Sequence, residues 1–118
     1  MTKLILVVED TPEIREAVAE ILAQEGHSTI EAADGREALA ALRGGAKADL
    51  ILLDLMMPGM GGLEFREQQL RDPLLADIPV ILMTAVRKID AEALRLSHLL
   101  LKPFGPAQLL DAVNAAQK

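Results

Sequence analysis

Four continuous apolar runs each end in a side chain able to do chemistry. Leu4-Ile5-Leu6-Val7-Val8 runs into Glu9-Asp10, and Leu50-Ile51-Leu52-Leu53 into Asp54. Val80-Ile81-Leu82-Met83 runs into Thr84, and Leu99-Leu100-Leu101 into Lys102. Gathered in one place, these residues make three carboxylates, a hydroxyl and an ammonium. Three adjacent carboxylates repel, and that repulsion raises their pKa values and strains the fold. A hard divalent cation relieves it, and Mg²⁺ suits the set: it takes one or two carboxylates, keeps waters and binds phosphate oxygens. Lys102 is a compact charge fit for a phosphoryl oxygen. Thr84 can donate one hydrogen bond to the same group, and the small Ala85 lets it approach. Phosphoryl transfer needs mainly positioning and charge neutralisation. A carboxylate can be the acceptor itself. Asp54 is the candidate, since Glu9 and Asp10 are needed around the metal.

Each residue alone has a plainer reading. An acid just after a strand is usually a helix cap or a solvated turn, and Asp10 could cap the first helix with Thr11. Thr84 could satisfy a local backbone group, and Lys102 could be a surface lysine. Placement at four successive strand ends is what favours the shared site.

The elements that must position these residues alternate. The four apolar runs, and a weaker fifth, Ser28-Thr29-Ile30-Glu31-Ala32, read as strands covered on both faces. Between them lies helical spacing. Ile14, Val18, Ile21 and Leu22 line one face, with Pro12 in the first turn and Gly26 past the end. Asp34-Gly35 opens a second helix carrying Ala38, Leu39 and Leu42, which stops at Gly44-Gly45. Residues 63–70 form a third, ending before Pro73. Ile89, Ala93 and Leu96 predict a short fourth, and Pro106 opens a fifth carrying Leu109, Leu110 and Val113. Strand–helix repeated five times predicts an α/β sandwich around a parallel sheet, with right-handed crossovers. In an open parallel sheet, ligands bind beyond the carboxyl ends of the strands, which is where the reactive residues lie.

Composition narrows the function. A chain of 118 residues fits one domain. It has no Cys, which excludes thiol catalysis, Cys-ligated zinc and iron–sulfur clusters and fits a reducing compartment. Eighteen Asp+Glu against twelve Lys+Arg give a net charge of −6. That surface repels phosphate backbones, and two aromatic residues, Phe65 and Phe104, make no base-stacking platform. Direct nucleic-acid binding is therefore not expected. The run Leu4–Val8 is too short to span a bilayer and precedes no cleavage-site pattern. A soluble cytoplasmic protein is expected.

At this point the chain resembles the receiver domain of two-component response regulators. The resemblance is carried by Val7-Val8-Glu9-Asp10, by Leu52-Leu53-Asp54-Leu55-Met56-Met57-Pro58-Gly59-Met60, by Pro79-Val80-Ile81-Leu82-Met83-Thr84-Ala85 and by Lys102-Pro103-Phe104. Ala33-Asp34-Gly35-Arg36-Glu37-Ala38-Leu39 fits the family's second helix. The match spans essentially all of residues 1–118, a single receiver domain. It implies a flavodoxin-like (βα)5 three-layer sandwich with strand order 2-1-3-4-5. It implies that Asp54 is the phosphoacceptor, supplied by a histidine kinase or phosphotransfer protein. Asp10 and Asp54 would ligate Mg²⁺, Glu9 would hold it mainly through water, and the Met56 backbone carbonyl would complete the protein ligands. Thr84, the Ala85 backbone and Lys102 would bind the phosphoryl group. The Lys102–Pro103 peptide is expected to be cis. Such a protein is a signalling switch rather than a metabolic enzyme, and it acts on a downstream protein target.

The sequence departs from the family pattern in three places. Leu99 stands where the family usually has an aromatic residue. Thr84 and Lys102 are 18 positions apart, about four fewer than usual, close to one helical turn. That shortens the fourth helix, a common dimer face, so a monomer is expected. Gly61 replaces the acid that often caps the third helix, at a cost of tenths of a kcal/mol. His98 and His27 read as surface or turn residues. Two other readings compete: a pseudo-receiver acting as a phosphorylation-independent interaction module, and an unrelated α/β enzyme. The second lacks support, since an aspartyl-phosphate hydrolase would want an acid at Met56. A flavodoxin would want a phosphate loop where Glu9-Asp10-Thr11-Pro12-Glu13 stands.

Overall fold

The computed structural model describes residues 2–116. Five parallel strands form one sheet: β1 (Leu4–Val8), β2 (Ser28–Ala32), β3 (Leu50–Asp54), β4 (Val80–Thr84) and β5 (His98–Leu101). Their spatial order is β2-β1-β3-β4-β5, the flavodoxin-like order. Four helices follow the strands: α1 (Pro12–Gln24), α2 (Gly35–Arg43), α3 (Gly62–Arg71) and α4 (Pro106–Ala115).

Period-two alternation sorts the apolar side chains onto the two faces. Leu6, Val8, Ile51, Leu53, Val80 and Leu82 share a core with α2 and α3, where Leu39 and the fully buried Phe65 pack. Ile5, Val7, Leu50, Leu52, Ile81 and Met83 share the opposite core with α1 and α4, against Val18, Leu22, Leu109 and Val113. The central strands β3 and β4 are buried along their whole length. This is why their sequences are continuously apolar rather than alternating.

Helix ends follow the punctuation. Asp34 caps α2, its side chain accepting from the Glu37 N–H at 2.9 Å. Thr11 and Gly61 occupy the N-cap positions of α1 and α3 without a side-chain cap bond. The Lys102–Pro103 peptide is cis.

The connection between β4 and β5 differs most from the pattern. The short fourth helix is reduced to a single turn over 91–95. Asp90 starts it, its carboxylate accepting from the Ala93 N–H at 3.0 Å. Arg95 ends it in the left-handed region, with φ of 54°. The Leu96 N–H reaches back to the Ala91 carbonyl and the Arg95 N–H to that of Glu92, the paired bonds of a helix C-terminus. Ile89 and Leu96 still pack against the α2/α3 core, but Ala93 is exposed. His27 also departs from expectation. It is buried, and its Nδ1 accepts from the Lys3 N–H at 3.0 Å, because its ring closes the start of β2 over the chain entering β1. His98 is exposed as expected and begins β5 one residue early.

Candidate functional site

The parallel register delivers the polar residues to one end of the sheet. Val8 pairs with Leu53, so Glu9 and Asp54 emerge side by side; Asp54 pairs with Met83 and Thr84 with Leu101. The ladder runs on past the strands. Glu9 N–H donates to the Ala32 carbonyl at 3.0 Å and Lys102 N–H to the Thr84 carbonyl at 2.9 Å. Lys102 therefore starts at the β4–β5 side and its stem reaches back across the strand ends.

The ammonium lands between two carboxylates. Lys102 Nζ lies 3.1 Å from Glu9 Oε1 and 3.1 Å from Asp54 Oδ1. Glu9 is 1% exposed and Asp54 4%, so both acids depend on partners rather than on water. Glu9 Oε2 also accepts from the Thr11 N–H at 3.3 Å. Asp10 is half-buried beside them, and one carboxylate oxygen from each of Glu9, Asp10 and Asp54 lies within 4.8 Å of the others. Thr84 is buried, and its Oγ1 accepts from the Val86 N–H at 3.0 Å. The hydroxyl proton is not used in that bond and can be donated outward. Ala85 is exposed at the rim, and beside Lys102 it borders an apolar groove lined by Ile14, Ile21 and Phe104. Met56, two residues past Asp54, is 71% exposed.

Thr11, not Asp10, is the N-cap of α1. Lys102 is not a free surface lysine. Thr84 does satisfy a local backbone group, with a donor to spare.

Charge is left over. Burial, and then the charge of Asp54, raise the Glu9 carboxyl above its usual value, against the hydrogen bond from Lys102. Burial alone would lower the Lys102 ammonium, but its hydrogen bonds to Asp54 and Glu9 and their charges outweigh that and raise it. One cation thus faces three acids. The donor set fits a hard divalent ion bound through oxygen.

Two close approaches hold the site. A Cβ on Gly62 would lie 2.5 Å from the Asp54 carbonyl oxygen, so α3 can start this near β3 only with glycine there. Arg15, which belongs to none of the sequence motifs, donates from Nη1 to the Glu9 carbonyl at 2.9 Å and from Nε to Glu31 at 3.2 Å. Its signal was faint: one arginine on the polar side of α1, a turn beyond Thr11.

Comparison with known proteins agrees with this geometry. The family model for the response regulator receiver domain matches residues 5–114. The chain belongs to that family. The phosphate regulon transcriptional regulatory protein PhoB of Pseudomonas aeruginosa is 38% identical over 117 residues, covering 96% of this chain and 51% of the relative. The chain spans about half the length of the curated relatives it matches. Among solved structures, the chemotaxis response regulator CheY4 of Vibrio cholerae superposes with a TM-score of 0.90 at 31% identity, over 98% of this chain and 99% of that one. The response regulator TrrA of Thermotoga maritima, solved in complex with Mg²⁺-BeF, superposes with a TM-score of 0.85 at 34% identity, over 97% and 98%.

Among the described residues, no helix is long and apolar enough to cross a membrane.

Proposed function

We propose that this receiver domain is a phosphorylation switch in which Asp54 accepts a phosphoryl group from the phosphohistidine of a histidine kinase or phosphotransfer protein. The observation that carries this is the Lys102 ammonium held 3.1 Å from both Asp54 and Glu9, with Asp10 adjacent.

Asp10, Asp54 and the Met56 backbone carbonyl would hold Mg²⁺, with Glu9 acting mainly through water. Bound there, the ion would supply positive charge to the acids and to the phosphoryl oxygens. The Asp54 carboxylate oxygen bonds to phosphorus as the phosphorus–nitrogen bond of the donor breaks, and the departing imidazole takes a proton from solvent. Lys102 moves its charge from the free carboxylates to a phosphoryl oxygen. The Thr84 hydroxyl and Ala85 N–H donate to the others. The same residues admit water for slow hydrolysis, so the domain times its own signal and transforms no metabolite. The partners are a kinase or phosphotransfer protein and a downstream protein target. The acidic surface and the reduced fourth helix favour a monomer without direct nucleic-acid contact, and a cytoplasmic setting suits the absence of cysteine.

Incubation with acetyl phosphate and Mg²⁺ tests the reading. Wild type gains one acid-stable, base-labile phosphoryl group, and Asp54→Asn gains none. A label that survives Asp54→Asn overturns the assignment. Saturating Mg²⁺ should raise the melting temperature, since a ligand bound only by the folded state stabilises it.

A further inference from the structure

The buried face of α3 carries residues 62, 65, 66 and 69, the spacing of a core-facing stripe. Gly62 and Phe65 suit it, but Arg66 and Gln69 do not. They are 3% and 0% exposed. A buried guanidinium needs partners, and those of Arg66 include no carboxylate. Nε donates to the Leu94 carbonyl at 2.9 Å, Nη2 to the Arg95 carbonyl at 2.7 Å and Nη1 to Gln69 Oε1 at 2.6 Å. Gln69 Nε2 in turn donates to the carbonyls of Leu75 and Ile78, at 2.9 and 3.1 Å.

Leu94 and Arg95 end the single turn between β4 and β5. Their carbonyls are of the kind a helix end leaves unpaired, and a cation there meets the negative end of the turn. The turn makes its own C-terminal bonds from Leu96 and Arg95 N–H, and Arg66 adds donors to the two carbonyls those bonds leave over. The N-terminus of α3 rests on the phosphoacceptor strand: Gly62 N–H donates to the Leu55 carbonyl at 3.0 Å, and a Cβ on Gly62 would lie 2.5 Å from the Asp54 carbonyl oxygen. One helical turn separates Gly62 from Arg66. Thr84 holds the 85–97 segment through Val86 N–H at its start, Arg66 holds it at Leu94 and Arg95, and the Ser97 N–H joins it to the Val80 carbonyl at 2.9 Å. Leu99, which has no ring to move, packs on the same core as Ile89 and Leu96.

We propose that Arg66 is a positioning residue which, through the rigid first turn of α3, couples the state of the Asp54 site to the turn at 91–95. Coupling requires an element with two arrangements. The turn qualifies: it is one turn long, and Arg95 holds a left-handed backbone conformation that disfavours a side chain. The inference rests on the phosphoryl reading of the site, and the test separates the two.

Amide NMR spectra of the full chain are recorded with Mg²⁺, before and after adding beryllofluoride, for wild type, Arg66→Met and Arg66→Lys. In wild type, amides of the pocket (55, 84–86, 102) and of the turn (91–97) both shift. In Arg66→Met the pocket shifts persist and the turn shifts fall by half or more. Arg66→Lys lies between, because one ammonium does not span two carbonyls as the guanidinium fork does. Turn shifts of wild-type size in Arg66→Met, or a wild-type turn that stays still while its pocket moves, would make Arg66 a static pin and overturn the coupling. A wild-type pocket that does not shift removes the phosphoryl reading, and this inference with it. If Arg66→Met does not fold, Arg66→Lys and Arg66→Gln supply the same comparison.

Discussion

Lys102 and Arg66 are both cationic side chains drawn out of water, and they are satisfied in opposite ways. Lys102 sits between two carboxylates, which raise its pKa despite burial. Arg66 sits among carbonyls, and burial, followed by the nearby charge of Arg95, lowers its pKa. The first arrangement holds excess negative charge and invites exchange, because an added ion or phosphoryl group changes what Lys102 must balance. The second contains dipoles only and has nothing to trade. One end of α3 thus adjoins a cluster of charges, and a point one turn along it grips the turn at 91–95 through backbone carbonyls.

Substitutions can break this contrast. Arg66→Met should have the largest effect on stability. It leaves the Leu94 and Arg95 carbonyls and Gln69 Oε1 short of a donor, at a cost of about 2–4 kcal/mol in urea unfolding, and Mg²⁺ should not restore it. A cost below about 1 kcal/mol would mean the latch holds nothing. Lys102→Met should cost less, about 1–2 kcal/mol, since its side chain is 26% exposed. Mg²⁺ should recover most of that loss by supplying the missing positive charge. Equal recovery in both variants would erase the distinction.

Arg95→Gly sharpens the comparison from the turn's side. Relief of a left-handed side-chain residue gains about 1–2 kcal/mol, offset by the glycine's extra unfolded freedom of about 0.5–1 kcal/mol. A net stabilisation of about 0.5–1 kcal/mol is expected.

The smallest effect concerns His27, which is distant in sequence from both cations. Burial, and then Lys3, lower its pKa from the usual 6.5. The unfolded chain therefore binds the proton first as pH falls. The stability His27 contributes is full above about 6.5 and declines as pH drops through the folded value. Protonation also removes the acceptor for the Lys3 N–H. Wild type should lose more stability than His27→Gln between about pH 7.5 and pH 5.5.

The parts of the molecule readable in its sequence are those where one local rule sufficed. Continuous apolar runs marked the buried strands, and the polar residue after each marked the end of the sheet where Glu9, Asp54, Thr84 and Lys102 meet. Asp34, Gly61 and Pro12 marked helix starts through backbone preferences that need no tertiary context. Arg66 and Gln69 escaped notice because polar residues on a helix are ordinarily solvated. Only the spacing 62, 65, 66, 69 betrays them, and only once Phe65 fixes which face is inward. The fourth helix was overestimated for a related reason. Ile89 and Leu96 do pack inward at helical spacing, but 13 residues must also carry the chain from Thr84 to His98. One turn is all that fits before Arg95 reverses the backbone. His27 looked like a turn residue because nothing local shows that Lys3 lies across it.

The strand order places β2 and β5 at the outside of the sheet. Each therefore carries a row of backbone groups open to pairing with another molecule, a template for aggregation. Each is also guarded. β2 turns Ser28 and the charged Glu31 to solvent. β5 has only four residues, and the cation Lys102 and then Pro103 follow it at once. Pro103 has no N–H to offer a growing ladder. The Lys-Pro pair that ends the strand beside the acidic site therefore also discourages the neighbouring apolar run Leu99-Leu100-Leu101 from recruiting a second chain.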